Sequence, residues 1–230
     1  MKQNNQSSWA ARLRKLSALC LMLVVASSAW ADNKVDNNLV IKPRLEKGKT
    51  GKIAISLDNT TPYTAFQMEI KLPAGLTIEP EGAIDIASAR KNAHHVPYHY
   101  YPESGIVKVV AYSFDGTNGN EAFVGESGDL LTVTLTATEA YNGGEIEVIN
   151  DEKLVFVEKT NLTGVTGFKV CNADVNFDGQ VDTQDALKAI GYYVAVPRVY
   201  KSSADINGDG VVDTQDALKI VGIYLTPIEE

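Results

Sequence analysis

From Val35 to about Val170, apolar side chains recur at every second position, in short runs broken by turn residues. Lys52–Leu57 carries Ile53, Ile55 and Leu57 on one parity. Phe66, Met68, Ile70 and Leu72 then alternate with Gln67, Glu69 and Lys71 until Pro73 ends the run. Leu131, Val133, Leu135 and Ala137 alternate with threonines. Successive strand side chains point to opposite faces, so each run predicts a strand with one buried face. Leu39–Leu45, Leu76–Glu79, Val96–Tyr101, Ile106–Ser113, Glu145–Asn150 and Leu154–Glu158 are further candidates. Turns are supplied by Asp58-Asn59, Pro73-Ala74-Gly75, Glu103-Ser104-Gly105, Asp115-Gly116 and Asn142-Gly143-Gly144. About nine short strands punctuated in this way predict an antiparallel β-sandwich of two sheets.

From about Asn172 the period changes. Asp174–Val194 and Asp205–Leu225 begin 31 residues apart and agree at 14 of 21 positions. Each pairs an acidic loop with a helical stripe: Leu187, Ile190 and Val194 in the first, Leu218, Val221 and Leu225 in the second. Their i, i+3, i+7 spacing predicts an amphipathic helix with that stripe facing a core. Thr183 and Thr214 stand where an N-cap is wanted. No entering helix precedes either loop, since Thr166–Cys171 reads as a strand and Tyr200–Ala204 is short and polar. No Pro- or Ser-rich linker separates the two regions, which should therefore lie close together.

Residues 1–31 read as a cleaved secretory signal. Lys2, Arg12, Arg14 and Lys15 precede an apolar run from Leu16 to Ala26 and the small-x-small site Ala29-Trp30-Ala31. That run is well short of the roughly 20 residues of a membrane span, so no membrane span is expected. Cleavage near Ala31 would send the protein outside a bacterial cell or onto its surface. The expected organisation is a signal over 1–31, a sandwich over 32–170 and a two-loop module over 171–230. The signal holds four of the 21 basic residues and none of the 29 acidic ones, so the remainder carries a net charge of −12. Such a balance argues against nucleic acid and anionic membrane as partners and suits a cation binder. One cysteine, Cys171, remains after cleavage, which excludes an intrachain disulfide and suggests a buried strand end.

The acidic loops have the spacing of a twelve-residue calcium loop. With Asp174 as position 1, oxygen side chains fall at Asp174, Asn176, Asp178, Asp182 and Asp185, and Gln180 at position 7 offers its carbonyl. In the second loop the set is Asp205, Asn207, Asp209, Val211 (carbonyl), Asp213 and Asp216. Ca²⁺ is hard and takes six to eight oxygens, and Gly179 and Gly210 at position 6 permit the bend that folds a loop around one ion. Two complete copies predict two Ca²⁺. Val181 and Val212 at position 8 either pair across the loops or enter the core. Position 12 is Asp in both, where a sensor EF-hand has Glu.

Loop plus exit helix, twice, over Ala173–Leu225 resembles a dockerin of type I, a docking module of cellulosome systems with a duplicated calcium-binding loop and helix. The resemblance implies two bound Ca²⁺ and a cohesin-type domain as partner, on another protein or in this chain's own sandwich. It also implies recognition through loop positions 10 and 11, here Thr183-Gln184 and Thr214-Gln215, with Lys188 and Lys219 flanking the contact. The identical pairs would let either half face the partner. Ser56–Ile78 (SLDNTTPYTAFQMEIKLPAGLTI) resembles cohesin domains and related carbohydrate-binding sandwiches. The implied function is non-catalytic assembly in an extracellular polysaccharide-degrading complex. The alternative is a sugar-binding sandwich with the dockerin for attachment. His94–Glu103 (HHVPYHYYPE) concentrates aromatics that could stack on sugar rings, although alternation would bury about half of them. His94, His95 and His99 could supply two transition-metal ligands, without a third. No nucleophile motif or phosphate loop is present, and Glu79, Glu81 and Asp85, the clustered acids of the sandwich, read as a polar loop, so no catalytic residue is expected.

Overall fold

The computed structural model describes residues 37–114 and 120–228. The segment expected as a signal, 1–31, and the expected turn at Asp115-Gly116 lie outside them. The chain forms β1 (Asn38–Arg44), β2 (Thr50–Asp58), β3 (Tyr63–Lys71), β4 (Leu76–Thr77), β5 (Ile84–Ile86), β6 (His94–His95), β7 (Tyr98–Tyr101), β8 (Ile106–Ser113) and β9 (Asp129–Ala137). Then come β10 (Glu147–Val148), β11 (Val155–Glu158), β12 (Gly164–Val165), β13 (Lys169–Asn172), α1 (Thr183–Val194), a 3₁₀ turn (Ser202–Ala204) and α2 (Thr214–Leu225). The sandwich thus has thirteen strands among the described residues rather than about nine. The additional ones β5, β6 and β12 are two or three residues long, too short to display a period of two.

One sheet runs β13-β1-β2-β9-β4 with β5 also on β9; the other runs β12-β11-β3-β8-β6 with β10 on β3 and β7 on β8. All pairs are antiparallel except β1 with β13. Alternation sets the core as expected. Leu39, Ile41, Ile53, Ile55, Leu57, Leu131, Val133 and Leu135 from the first sheet meet Phe66, Met68, Ile70, Val107 and Val109 from the second. Tyr63, Phe66, Phe156 and Phe168 cluster with ring centroids 4.5–5.9 Å apart, the offset and tilted arrangement aromatic rings prefer.

β1 departs from simple alternation: Asn38, Leu39, Val40 and Ile41 are all buried. Leu39 and Ile41 enter the sandwich core, whereas Val40 belongs to a second core with Cys171, Ala173, Val175, Val181, Ala186, Ala189, Ala204, Ile206, Val212, Ala217 and Ile220. Val40 pairs with Cys171 across the parallel ladder. The outer face of the β1–β13 edge is therefore the floor on which the two-loop module packs. Cys171 is buried there, and burial, reinforced by Asp205 and Asp216, pushes its thiol up to about 12.

The helices do not bury the stripe the spacing suggested. Leu187 is 66% exposed and Leu218 71%, and Val194 and Leu225 are also exposed, while Ile190 and Val221 are half-buried. The inward faces are Asp185, Ala186 and Ala189 in α1, and Asp216, Ala217 and Ile220 in α2. Each residue turns a helix by about 100°, so an inward-facing Asp185 brings Ala186 and Ala189 in and carries Leu187 out. The alanines let the two helices approach closely.

Since Val40 serves the second core and not the first, Val40→Ala should cost about 2 kcal/mol. Urea unfolding followed by the helical circular dichroism signal, which only the two-loop module supplies, should report that loss.

Candidate functional site: two acidic loops and their exit helices

The two loops fold alike because the same side chains bind the same main-chain groups. Asp174 Oδ1 accepts the Asp178 N–H at 3.1 Å and Oδ2 the Gly179 N–H at 2.8 Å. Asp205 accepts the N–H groups of Asp209 and Gly210 at 3.1 and 2.9 Å. Asp185 takes Asn176 N–H and Asp182 N–H at 3.1 and 2.8 Å, and Asp216 takes Asn207 N–H and Asp213 N–H at 3.1 and 2.9 Å. Asn176 and Asn207 reach Asp178 and Asp209 through their side-chain amides at 3.0 and 2.9 Å. Gly179 and Gly210 lie at φ +96° and +86°, in the left-handed region open to glycine.

The helix starts differ from expectation by one residue. Asp182 and Asp213 are the N-caps, accepting from Gln184 N–H and Gln215 N–H, with Asp185 and Asp216 closing the capping boxes. Thr183 and Thr214 are instead the first helical residues, because the preceding aspartate already has the extended backbone and the oxygen a cap requires.

Asp174, Asp185, Asp205 and Asp216 are all buried. Burial pushes the Asp174 carboxyl up to about 7; the Gly179 N–H opposes this, and the neighbouring Asp185 and Asp178 reinforce it. Burial likewise raises Asp185 and Asp216. Each loop thus concentrates carboxylate, amide and carbonyl oxygens with buried negative charge, the oxygen-only set that Ca²⁺ takes and softer metals do not favour. Among the described residues no three His, Cys, Asp or Glu side chains form a ready-made metal cluster, since the carboxylates are turned onto loop N–H groups. The residue set fits calcium.

Thr183, Gln184, Lys188, Thr214, Gln215 and Lys219 are all exposed. Leu187 and Leu218 join them there. Sequence reasoning assigned these leucines to the core, although their position directly before the lysines was a usable sign. The second set lies nearer the sandwich: Lys219 Nζ stands 3.9 Å from Asp58, and Gln215, Leu218 and Lys219 share an open groove with Lys42. Arg44 donates to the carbonyls of Tyr224 and Thr226 at 3.2 and 3.5 Å, capping the end of α2 with a cation.

In the aromatic stretch of the sandwich, His94 is buried and stacked on Phe123 at 4.0 Å, with Nε2 on Thr64 O. Tyr98 and Tyr100 pack against the core, and Tyr98 Oη bonds Ala83 N–H and Glu79 O. His95, His99 and Tyr101 face outward. Asp85 pairs with Lys91 at 2.6 Å on the surface.

Residues 172–222 match the family model described as Dockerin type I domain. This segment is a type I dockerin. Type I dockerins are calcium-binding interaction modules. Among solved structures, the chain is similar to a type I cohesin–dockerin complex from Clostridium thermocellum, at 13% identity over 60% of this chain and 99% of that one (TM-score 0.44). It is also similar to a non-cellulosomal cohesin from Archaeoglobus fulgidus, at 13% identity over 61% and 95% (TM-score 0.42). A third is a type II cohesin domain from the cellulosome of Acetivibrio cellulolyticus, at 12% identity over 59% and 91% (TM-score 0.44). No match was found among curated proteins. Among the described residues, no helix is long and apolar enough to cross a membrane.

A buried carboxyl with a raised value favours folding in its protonated form. Without metal, the dockerin should therefore lose stability as pH rises from about 4 through 7, where the unfolded chain releases the Asp174 proton and the folded one keeps it. Helix unfolding in urea with chelator should show a higher midpoint at pH 5 than at pH 8. Saturating Ca²⁺, which needs the ionised carboxylates, should reverse that order.

Proposed function

We propose that this chain is a secreted, non-catalytic assembly protein whose calcium-loaded dockerin docks onto a cohesin-type domain of another protein. Two Ca²⁺ are held by Asp174, Asn176, Asp178, Gln180 carbonyl, Asp182 and Asp185, and by Asp205, Asn207, Asp209, Val211 carbonyl, Asp213 and Asp216. The cations neutralise carboxylates that burial would otherwise penalise, and the rest of the work falls to this chain's own residues. The aspartate cages fix the helix starts, which present Thr183, Gln184, Leu187 and Lys188 from one half, and Thr214, Gln215, Leu218 and Lys219 from the other.

The observation that carries this reading is the exposure of both leucines beside the duplicated Thr-Gln pairs, within a segment matching the dockerin family. A large apolar side chain held outward at the same place in both repeats, ringed by polar residues, fits an interface anchor. The module packs on its own sandwich by way of Val40 and Cys171, and although Lys219 also lies near Asp58, both leucines stay exposed, which favours docking in trans. An extracellular polysaccharide-degrading complex is the setting we assign. The rival reading, sugar binding by the sandwich, draws on His95, His99 and Tyr101 at the surface.

Calorimetry on the full chain should give two Ca²⁺, and Asp174→Ala or Asp205→Ala should each remove one. Unaltered stoichiometry would refute the ligand assignment. Immobilised type I cohesin domains should capture the protein in Ca²⁺ and release it in chelator. Replacing Thr183, Gln184, Thr214 and Gln215 with alanine should weaken capture at least about tenfold. No capture, together with retardation of the protein on a polysaccharide affinity gel, would favour the rival.

A further inference from the structure

The two loops are near copies in sequence, yet their surroundings differ. At position 6 of the first loop, Gly179 lies under Tyr141, the residue that closes the turn after β9. A methyl group on Gly179 would stand 2.5 Å from the Tyr141 hydroxyl oxygen and 3.0 Å from its ring. At the same position of the second loop, Gly210 faces open space.

The main chain of the first loop is also bonded to the sandwich. Gly144 N–H donates to Phe177 O at 2.8 Å, Leu45 N–H to Gly179 O at 2.9 Å, and Val181 N–H to Pro43 O at 3.2 Å. With its carbonyl so held, Phe177 sits at φ +61°, a left-handed position that the second loop fills with Gly208. Among the described residues, hydrogen bonds from the sandwich reach the second loop only at its first two residues, from Cys171 to Asp205 O and from Asn38 to Ile206 O, while the Lys169 side chain lies against Gly208.

Tyr141 is 2% exposed, and its hydroxyl has no hydrogen-bond partner in the protein. A buried phenol normally has one. This one lies against the α-carbon of Gly179, whose N–H holds Asp174 Oδ2. The second loop provides a parallel: Tyr200 Oη contacts Asp205 Oδ2, at loop position 1, at 3.1 Å.

We propose that Tyr141 is a positioning residue of the first cation site, supplied by the sandwich. Its hydroxyl donates to the oxygen shell of a Ca²⁺ in that loop, and so couples cation binding there to the sandwich. The inference rests on the reading of the loops as calcium sites. The second loop meets no phenol from the sandwich, its Tyr200 belonging to the dockerin itself, so the two sites differ in a way their sequences do not suggest. Groups that orient a metal's ligands change affinity without touching the metal.

The test uses the full-length protein with one loop disabled: Asp205→Ala retains the first loop and Asp174→Ala the second. Adding Tyr141→Phe should weaken Ca²⁺ binding about tenfold in the first background and leave it within about a factor of two in the second. The phenylalanine keeps the ring and removes no hydrogen bond made within the protein, so the fold should persist. Tb³⁺ bound to the Asp205→Ala protein should emit on tyrosine excitation, and Tyr141→Phe should remove most of that emission, an effect general destabilisation would not mimic. Gly179→Ala and Gly210→Ala share the strain of a positive φ, but only the first meets Tyr141, so it should weaken its loop more. Equal losses in both backgrounds, or none in either, would overturn the coupling. An Asp205→Ala protein that takes up no Ca²⁺ would overturn the loop reading itself, and this inference with it.

Discussion

The burial of one aspartate at the end of each loop governs the C-terminal module of this protein. Asp185 binds two loop N–H groups and Asp216 three while each sits on the first turn of a helix. A side chain anchored at both places fixes the rotation of the helix about its axis. Everything else on α1 and α2 follows at about 100° per residue. Ala186, Ala189, Ala217 and Ile220 turn inward, the helices pack closely, and Leu187 and Leu218 are carried to the surface beside the Thr-Gln pairs. The same interaction that shapes a calcium loop therefore also sets which residues a partner would meet.

A second constraint joins the module to the sandwich. β1 is buried on both faces, giving Leu39 and Ile41 to the sandwich and Val40 to the dockerin core. Each buried aliphatic side chain is worth roughly 1.5–3 kcal/mol, and the small second core, rich in alanine, has few of them. Borrowing Val40 and Cys171 from the sandwich edge compensates for that shortage. The dockerin is consequently part of one packed body, with a fixed orientation relative to its sandwich. Its first loop is gripped by Tyr141, Leu45 and Gly144, while its second stands freer.

The strands were legible wherever a run was long enough to display alternation. Ile53–Leu57, Phe66–Leu72 and Leu131–Ala137 all lie on the faces their parity implies. β5, β6 and β12 were not legible, because two or three residues carry no period. In the loops, side-chain identity and spacing alone pointed to the oxygen donors proposed for calcium, since a metal loop is local and every donor lies within twelve positions. The helix stripe misled: Leu187, Ile190 and Val194 satisfy a periodicity rule that is blind to rotation, and the anchored Asp185 overrode it.

The sequence by itself determined that there are two acidic loops, an exit helix after each, and a β-sandwich before them, because these features depend on neighbours along the chain. Only the tertiary structure decided which helix face is outermost, that Val40 serves the second core, and that two nearly identical loops have different surroundings. Those outcomes depend on contacts such as Gly179 with Tyr141 or Leu45 with Gly179, which join residues far apart in sequence. No local pattern encodes them.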